Sequence, residues 1–166
     1  MRQLSRNDKP IFGMSNQKSR WVLGHRVTPV ETGADFGLLS ITSPSRAEGP
    51  PPHFHEDAVE LFLILEGTMD VTCDGQRHTL AAGDSFVVPK GSVHTFRNPG
   101  EAEVKWITTF APRGFERFFE DFGVPVDREN AREASLSGEL IQRVVSGCAE
   151  YGMILAPAGE AEASQA

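Results

Sequence analysis

Short runs of alternating apolar and polar residues fill most of the chain from Trp21 to Phe110, and Gly, Pro, Ser and Asp separate them. Side chains on a strand alternate between two faces, so this pattern predicts short strands with one face in a core. An Asp74-Gly75 pair favours a tight hairpin. The predicted strands are Trp21 to Thr28, Ala34 to Thr42, Val59 to Leu65, Met69 to Cys73, Gln76 to Leu80, Ser85 to Val88, Thr95 to Arg97 and Val104 to Phe110. Such a series of short strands is typical of an all-β barrel or sandwich.

The apolar period changes after Pro112. Phe115, Phe118, Phe119 and Phe122 keep helical spacing and predict a helix from about Gly114 to Phe122, with an apolar stripe that packs on the barrel. A second helix is predicted from about Ser137 to Glu150. The predicted organisation is an N-terminal arm over residues 1–19, a barrel over 20–112, a C-terminal helical segment over 113–156 packed on the barrel, and a disordered tail over 157–166.

Composition narrows the class of protein. A chain of 166 residues has the usual length of one domain, and no internal repeat suggests two. The net charge of −7 argues against a nucleic-acid partner. We find neither a signal peptide nor an apolar span, so we expect a cytoplasmic protein with no membrane association. Cys73 and Cys148 are accordingly expected to be reduced thiols without a catalytic role.

Two stretches carry the candidate chemistry. The first is Gly49-Pro-Pro-Pro-His53-Phe-His55-Glu-Asp-Ala-Val-Glu60, and the second runs from Gly83 through Pro89-Lys-Gly91-Ser-Val-His94 to Asn98. His53 and His55 lie two apart and project from the same face of a strand, whereas the odd spacing to Glu60 requires a bend or bulge that resets the register. The turn at Pro89 to Gly91 delivers His94 to the next strand.

These residue types suit a metal. Imidazole and carboxylate groups bind divalent iron, nickel, manganese, cobalt, copper or zinc, and four of them on an octahedral ion leave two positions open. Open positions are needed by a catalytic metal, whereas a structural zinc is usually closed by four ligands. The two stretches therefore predict a mononuclear metal site.

Both stretches resemble the paired motifs of the cupin superfamily. The second stretch matches every position of its motif, and the first has three residues rather than the commoner five between Gly49 and His53. The resemblance covers Gly49 to Asn98. It implies a double-stranded β-helix, the cupin jelly-roll barrel, with short C-terminal α-helices. It also implies that one divalent transition metal per chain is bound by His53, His55, Glu60 and His94.

Strand alternation predicts a cavity lining as well. The residues that share a face with Glu60, with His94 or with the interior side of the last strand are candidate substrate contacts, and the alternative is that they are barrel core. They are Phe62, Ile64, Phe96, Trp106 and Thr108. His25 and His78 have no partner at ligand spacing, so we interpret both as surface or strand-edge histidines.

The single-barrel length and the aromatic helix after Ala111 resemble bacterial cupins of the quercetin 2,3-dioxygenase-like group. This resemblance implies a metal-dependent dioxygenase that uses O2 on a small phenolic or enolic, flavonol-like substrate, with Glu60 as the base. Two alternatives remain: a non-oxidative metal-dependent isomerase, cyclase or decarboxylase, and a non-catalytic small-molecule-binding barrel. Exposed sheet edges and the family resemblance together predict a homodimer or a larger closed assembly.

Overall fold

The computed structural model describes residues 19–157, and almost all of the predicted arm and tail lie outside this range. The strands are β1 (Arg20–Val22), β2 (His25–Val30), β3 (Gly37–Ser43), β4 (His53–His55), β5 (Val59–Glu66), β6 (Thr68–Cys73), β7 (Gln76–Ala81), β8 (Ser85–Val88), β9 (His94–Arg97), β10 (Val104–Ala111), β11 (Val124–Pro125) and β12 (Met153–Leu155). The helices are α1 (Glu116–Phe122), α2 (Ala131–Ser135) and α3 (Gly138–Gly147), and a 3-10 turn follows at Cys148–Tyr151.

The strands form two antiparallel sheets. One has seven strands in the order β11-β1-β2-β3-β10-β5-β8, and the other has five in the order β12-β4-β9-β6-β7. Their inner faces enclose one large apolar core, which includes Leu39, Phe62, Val71 and Trp106. The all-β prediction is confirmed, and the architecture is a jelly-roll sandwich with short C-terminal helices.

Alternation along the strands agrees with the predicted faces. On β10 the side chains of Val104, Trp106 and Thr108 are buried, and Lys105 between them is partly exposed and pairs with Glu66. This strand lies between β3 and β5, so its inner residues reach the middle of the sandwich. The inner face of β10 thereby forms one wall of the interior.

The predicted strand from Trp21 to Thr28 is two strands. A two-residue turn at Leu23-Gly24 divides it, and Val22 then pairs with His25 across the hairpin. Both turn residues have positive φ, 48° and 81°, which is the backbone that a tight hairpin needs. The prediction was wrong here because leucine at the first turn position gives no turn signal.

The segment after Pro112 is not purely helical. The helices α1 and α3 agree with the predicted ones, and α3 is capped by Ser137, whose hydroxyl accepts a hydrogen bond from the Leu140 N–H. The segment also adds β11 to the edge of the seven-stranded sheet and β12 to the edge of the five-stranded sheet. Strands of two and three residues are too short to show an alternating pattern, so the sequence did not predict them.

His25 is buried, at 4% exposure, so its placement at the surface was wrong. Its Nε2 lies 2.9 Å from the Glu48 carbonyl oxygen and its Nδ1 lies 2.9 Å from the Ser43 hydroxyl, which accepts from Trp106 Nε1. Because a carbonyl only accepts, Nε2 carries the proton and Nδ1 accepts from Ser43. Burial lowers the pKa of His25 to about 4, so the ring is neutral near pH 7. His78 lies on the edge strand β7, as predicted.

Replacing Ser43 with alanine should destabilise the fold, because the Trp106 N–H and one nitrogen of His25 would lose their buried partner. The expected loss is about 1–3 kcal/mol in the free energy of unfolding, measured by urea denaturation. Ser40→Ala is the matched control, because Ser40 lies on the same strand and is not fully buried. Equal stability of the two variants would contradict the role given to Ser43.

Candidate metal centre

Three histidines and one glutamate converge between the two sheets. His53 and His55 come from β4, His94 from β9 and Glu60 from β5, and all four are buried. One ligand atom from each residue lies within 4.8 Å of those of the other three. His53 and His94 are direct partners in the β4–β9 register. The five-stranded sheet thus supplies the imidazoles, and the seven-stranded sheet supplies the carboxylate.

The bend predicted between His55 and Glu60 is present, but it does more than reset a register. Strands β4 and β5 belong to different sheets, and residues 56–58 carry the chain from one sheet to the other. The His55 carbonyl accepts from the Gly91 N–H at 2.9 Å, which fixes the end of β4. His55 and Glu60 therefore face each other across the interior, and strand parity does not decide whether they meet.

Backbone carbonyls orient two of the histidines. Nδ1 of His53 lies 2.9 Å from the Pro51 oxygen, and Nδ1 of His94 lies 3.0 Å from the Ser92 oxygen. Because these oxygens only accept, both Nδ1 atoms carry protons and both Nε2 atoms are left for the cluster. Metal-binding histidines commonly have this arrangement, with the second ring nitrogen donating to a carbonyl or carboxylate.

Glu60 is held by partners on both of its oxygens. Oε1 accepts a hydrogen bond from the Thr108 hydroxyl at 2.7 Å, while Oε2 lies 3.0 Å from His94 Nε2 and 3.3 Å from His55 Nε2. Thr108 was predicted as a substrate contact, and the structure gives it this further bond to the carboxylate. The Thr108 hydroxyl thus turns Oε2 toward the imidazoles.

The electrostatics of the cluster favour an ionised carboxylate. Burial opposes the charge on Glu60, but hydrogen bonds from His55 and His94 outweigh it, so the pKa of Glu60 is held below its ordinary value. Burial likewise opposes a charge on His94, but the bond to Glu60 prevails and raises the pKa of His94. Burial, with His94 and His55 nearby, lowers the pKa of His53 to about 3. One anionic carboxylate among imidazoles is a donor set that could hold a divalent transition metal.

An apolar cavity opens beside the cluster. Its volume is about 60 Å³, which is room for a few water molecules and well below the ~300–1,000 Å³ of pockets for drug-sized ligands. The four cluster residues and Thr108 are joined in the lining by Phe96 and Trp106. Phe62 and Ile64, also predicted to contact substrate, are buried behind this lining, where Phe62 stacks on Trp106. Their predicted contact with a ligand does not follow from this cavity.

Helix α1 covers the cluster from outside. The Phe115 ring, which precedes the helix, lies 4.7 Å from the His55 ring and 4.6 Å from that of Phe110, measured between centroids. Phe118 and Phe119 complete this wall. The aromatic stripe was predicted only as packing, so its place in the cavity lining was missed. The spacing of the phenylalanines predicted a helix but could not indicate which end of the barrel the helix covers.

The lining also includes four residues of the first hairpin that sequence reasoning did not select, namely Val22, Leu23, His25 and Val27. Leu23 comes from the turn between β1 and β2, and His25 comes from the start of β2. A hairpin of this kind carries no motif, so only the fold relates it to the cluster.

Comparisons with known proteins agree with this geometry. The family model described as "Cupin domain" matches residues 41–110, which include all four cluster residues. A quercetin 2,3-dioxygenase of Bacillus subtilis (strain 168) is 30% identical over 99 residues, 57% of this chain and 29% of that protein. A protein named polyketide synthase CurC, from Streptomyces cyaneus, is 29% identical over 97 residues, 58% of this chain and 63% of that protein. The chain thus aligns with less than two thirds of either relative.

A solved cupin structure has a similar fold. An RmlC-like cupin from Shewanella frigidimarina NCIMB 400 superimposes with a TM-score of 0.55 and 26% identity, over 63% of this chain and 93% of that one. No helix among residues 19–157 has the length and apolar character needed to cross a membrane. The paired motifs, the two-sheet sandwich and the convergent cluster lead to one conclusion: the chain contains a cupin domain, which the family model places at residues 41–110.

Proposed function

We propose that this protein is a metal-dependent dioxygenase that acts on a small phenolic or enolic substrate. One divalent transition metal would be held by His53, His55, Glu60 and His94. The observation that carries the proposal is the buried convergence of these four side chains at the end of an apolar cavity. The similarity to a quercetin 2,3-dioxygenase supports the reaction class.

A metal bound by these residues would supply Lewis acidity and the capacity to react with O2. The protein's own groups supply the rest. Glu60 is ionised, and its Oε2 accepts the proton of the substrate's acidic hydroxyl, while Thr108 keeps Oε1 occupied. A carboxylate with a lowered pKa is a weak base, so Glu60 can take a proton only from a hydroxyl that is itself acidic. Phenols and enols meet this requirement better than ordinary alcohols.

The cavity walls shield the buried cluster from bulk solvent. Aromatic and aliphatic side chains, among them Trp106 and Phe110, dominate the lining, and few polar groups interrupt it. Such walls bind a planar apolar molecule, and they strengthen every electrostatic interaction inside the cavity. A full flavonol exceeds the present cavity, so a ligand of that size requires side chains at the opening to move.

Two other functions remain open to test. Proton transfer through Glu60 needs no O2, so the same site could catalyse an isomerisation, cyclisation or decarboxylation. The similarity to a protein named polyketide synthase CurC supports such a non-oxidative reaction. A small-molecule-binding barrel would use the cavity without turnover. Only the dioxygenase consumes O2 in step with product.

We also propose a homodimer. The outer face of the seven-stranded sheet is aliphatic beside its edge strand β8, where Leu61 pairs with Val87 and Ile107 pairs with Leu63. Val87 is 52% exposed and Leu65 is 47% exposed. A second copy of the chain would cover this face symmetrically.

We propose a cytoplasmic location as well. The free, buried Cys73 and Cys148 agree with a reducing compartment.

The protein purified from cells should contain about one equivalent of a transition metal per chain, because four convergent ligands bind such ions tightly. His53→Ala and His94→Ala should each remove most of it, as measured by elemental analysis. His78→Ala is the matched control, since His78 lies on β7 outside the cluster. Full metal content in the His53→Ala, His94→Ala double variant would refute the proposed site.

Metal-loaded protein should consume O2 in step with turnover in a screen of flavonols and smaller phenols or enediols. Glu60→Gln removes the proposed base, so the rate should fall about 10²–10⁴-fold. The variant keeps the size and one oxygen of the side chain, so the metal content should fall far less. Turnover and metal content are measured on one preparation. Turnover without O2 would favour the non-oxidative reactions, and activity near wild type at equal metal loading would remove Glu60 from the chemistry.

Sedimentation at micromolar concentration should give twice the 18.1 kDa mass of the chain. Val87→Glu should shift the mass toward the monomer, because it places a charge in the proposed interface. The matched control is Val145→Glu on α3, where the wild-type valine is 41% exposed. A monomeric wild type, or equal dissociation by both variants, would contradict the proposed dimer.

A further inference from the structure

The turn at Leu23-Gly24 has an unusual residue for its geometry. A two-residue hairpin with positive φ at both positions strongly prefers Asn-Gly or Asp-Gly. The chain uses that preferred pair elsewhere, at Asp74-Gly75, where φ is 46° and 77°. At Leu23 the backbone is nearly the same, with φ of 48°, but the residue is a leucine. A bulky side chain rarely adopts a left-handed backbone, so the leucine is unfavourable for the turn itself.

The surroundings of the two turns differ in one respect. Asp74 is exposed to solvent, whereas the Leu23 side chain packs against the core and lines the cavity beside the His/Glu cluster. Most other lining residues are fully buried, and Leu23, Pro50, Phe96 and Phe119 are the ones that are partly exposed. Leu23 therefore lies where the cavity approaches the surface.

The turn is also fixed from its other side. The Gly24 N–H donates to the Ser135 hydroxyl at 3.1 Å, and that hydroxyl donates to the Arg132 carbonyl at 2.6 Å. A Cβ atom on Gly24 would lie 3.1 Å and 3.4 Å from the two Leu136 methyl groups. The turn thus lies between α2 and the cavity, and this holds the Leu23 side chain in place as a fixed wall.

We propose that Leu23 sets the size of the ligand that reaches the cluster. Its side chain closes part of the cavity opening, where it supplies an apolar group that the Asn or Asp preferred by the turn would not supply. The inference rests on the proposed use of this cavity as a ligand site, but not on the reaction or on the metal.

The test uses phenol and 2-naphthol as probes, titrated calorimetrically into the full chain with and without bound metal, in the absence of O2. Leu23→Ala should improve 2-naphthol affinity by about tenfold and change phenol affinity little, because the enlarged opening admits the second ring. Leu136→Ala is the matched control, since it removes a leucine that packs on the same turn from outside the cavity. The change in 2-naphthol affinity should be the same in metal-free and metal-loaded protein. The inference about Leu23 can therefore hold even if the proposed dioxygenase reaction fails.

A second variant separates the cavity role from packing. Leu23→Asn loses the same apolar packing but places the residue that the turn prefers, so its thermal midpoint should be higher than that of Leu23→Ala, while phenol affinity falls because the wall becomes polar. The proposal is overturned if the ratio of 2-naphthol to phenol affinity is the same in wild type and Leu23→Ala. It is equally overturned if neither probe binds to either protein. It is also overturned if Leu136→Ala shifts that ratio equally, or if Leu23→Asn leaves phenol affinity unchanged.

Discussion

The structure of the site depends on the contact between Glu60 of one sheet and two histidines of the other, His55 and His94. A carboxylate at 5% exposure in a sandwich of aromatic and aliphatic side chains is costly unless charged or polar groups surround it. His55 and His94 supply those groups from the opposite sheet, and Thr108 supplies one from its own. Because the partners are divided between the sheets, the packing of the sandwich determines the geometry of the site.

Several short elements protect the strand that carries two of the histidines. Strand β4 has only three residues, two of them histidines, and it is held between β9 and β12. Without β12, which pairs Met153 with His55 and Leu155 with His53, this strand would be an exposed edge. The C-terminal segment therefore protects the histidine strand on one side, while Phe115 covers His55 on another. Elements far apart in sequence thus support the same cluster.

Much of the cluster could be predicted because its signals are local. His53 and His55 share a face at a spacing of two, and the glycines and prolines around His94 mark a turn. The sequence also identified the inward side of β10, since one charged residue, Lys105, fixes the parity of that strand. The change of sheets between His55 and Glu60 was interpreted as a register problem, because a sequence shows that a chain bends but not where it goes next.

The misplacement of His25 and the missed role of Leu23 have a common cause. Neither residue has a partner nearby in sequence: His25 bonds to Ser43 and Glu48, and Leu23 contacts a cavity whose other walls come from distant strands and α1. A lone histidine and a leucine in an alternating run look like ordinary strand residues. Their meaning depends on tertiary contacts, which strand periodicity does not encode.

X-ray absorption at the edge of the bound metal tests the central claim most directly, because it reports the ligand atoms themselves. The proposed site predicts three imidazole nitrogens at about 2.0–2.1 Å together with oxygen ligands, and loss of imidazole scattering in His94→Ala. Cys73, the register partner of His94 on β6, offers the sharpest alternative, since it is a free thiol in the same interior. A sulfur ligand at about 2.3 Å, or fewer than three imidazoles in the wild-type protein, would contradict the proposed metal centre.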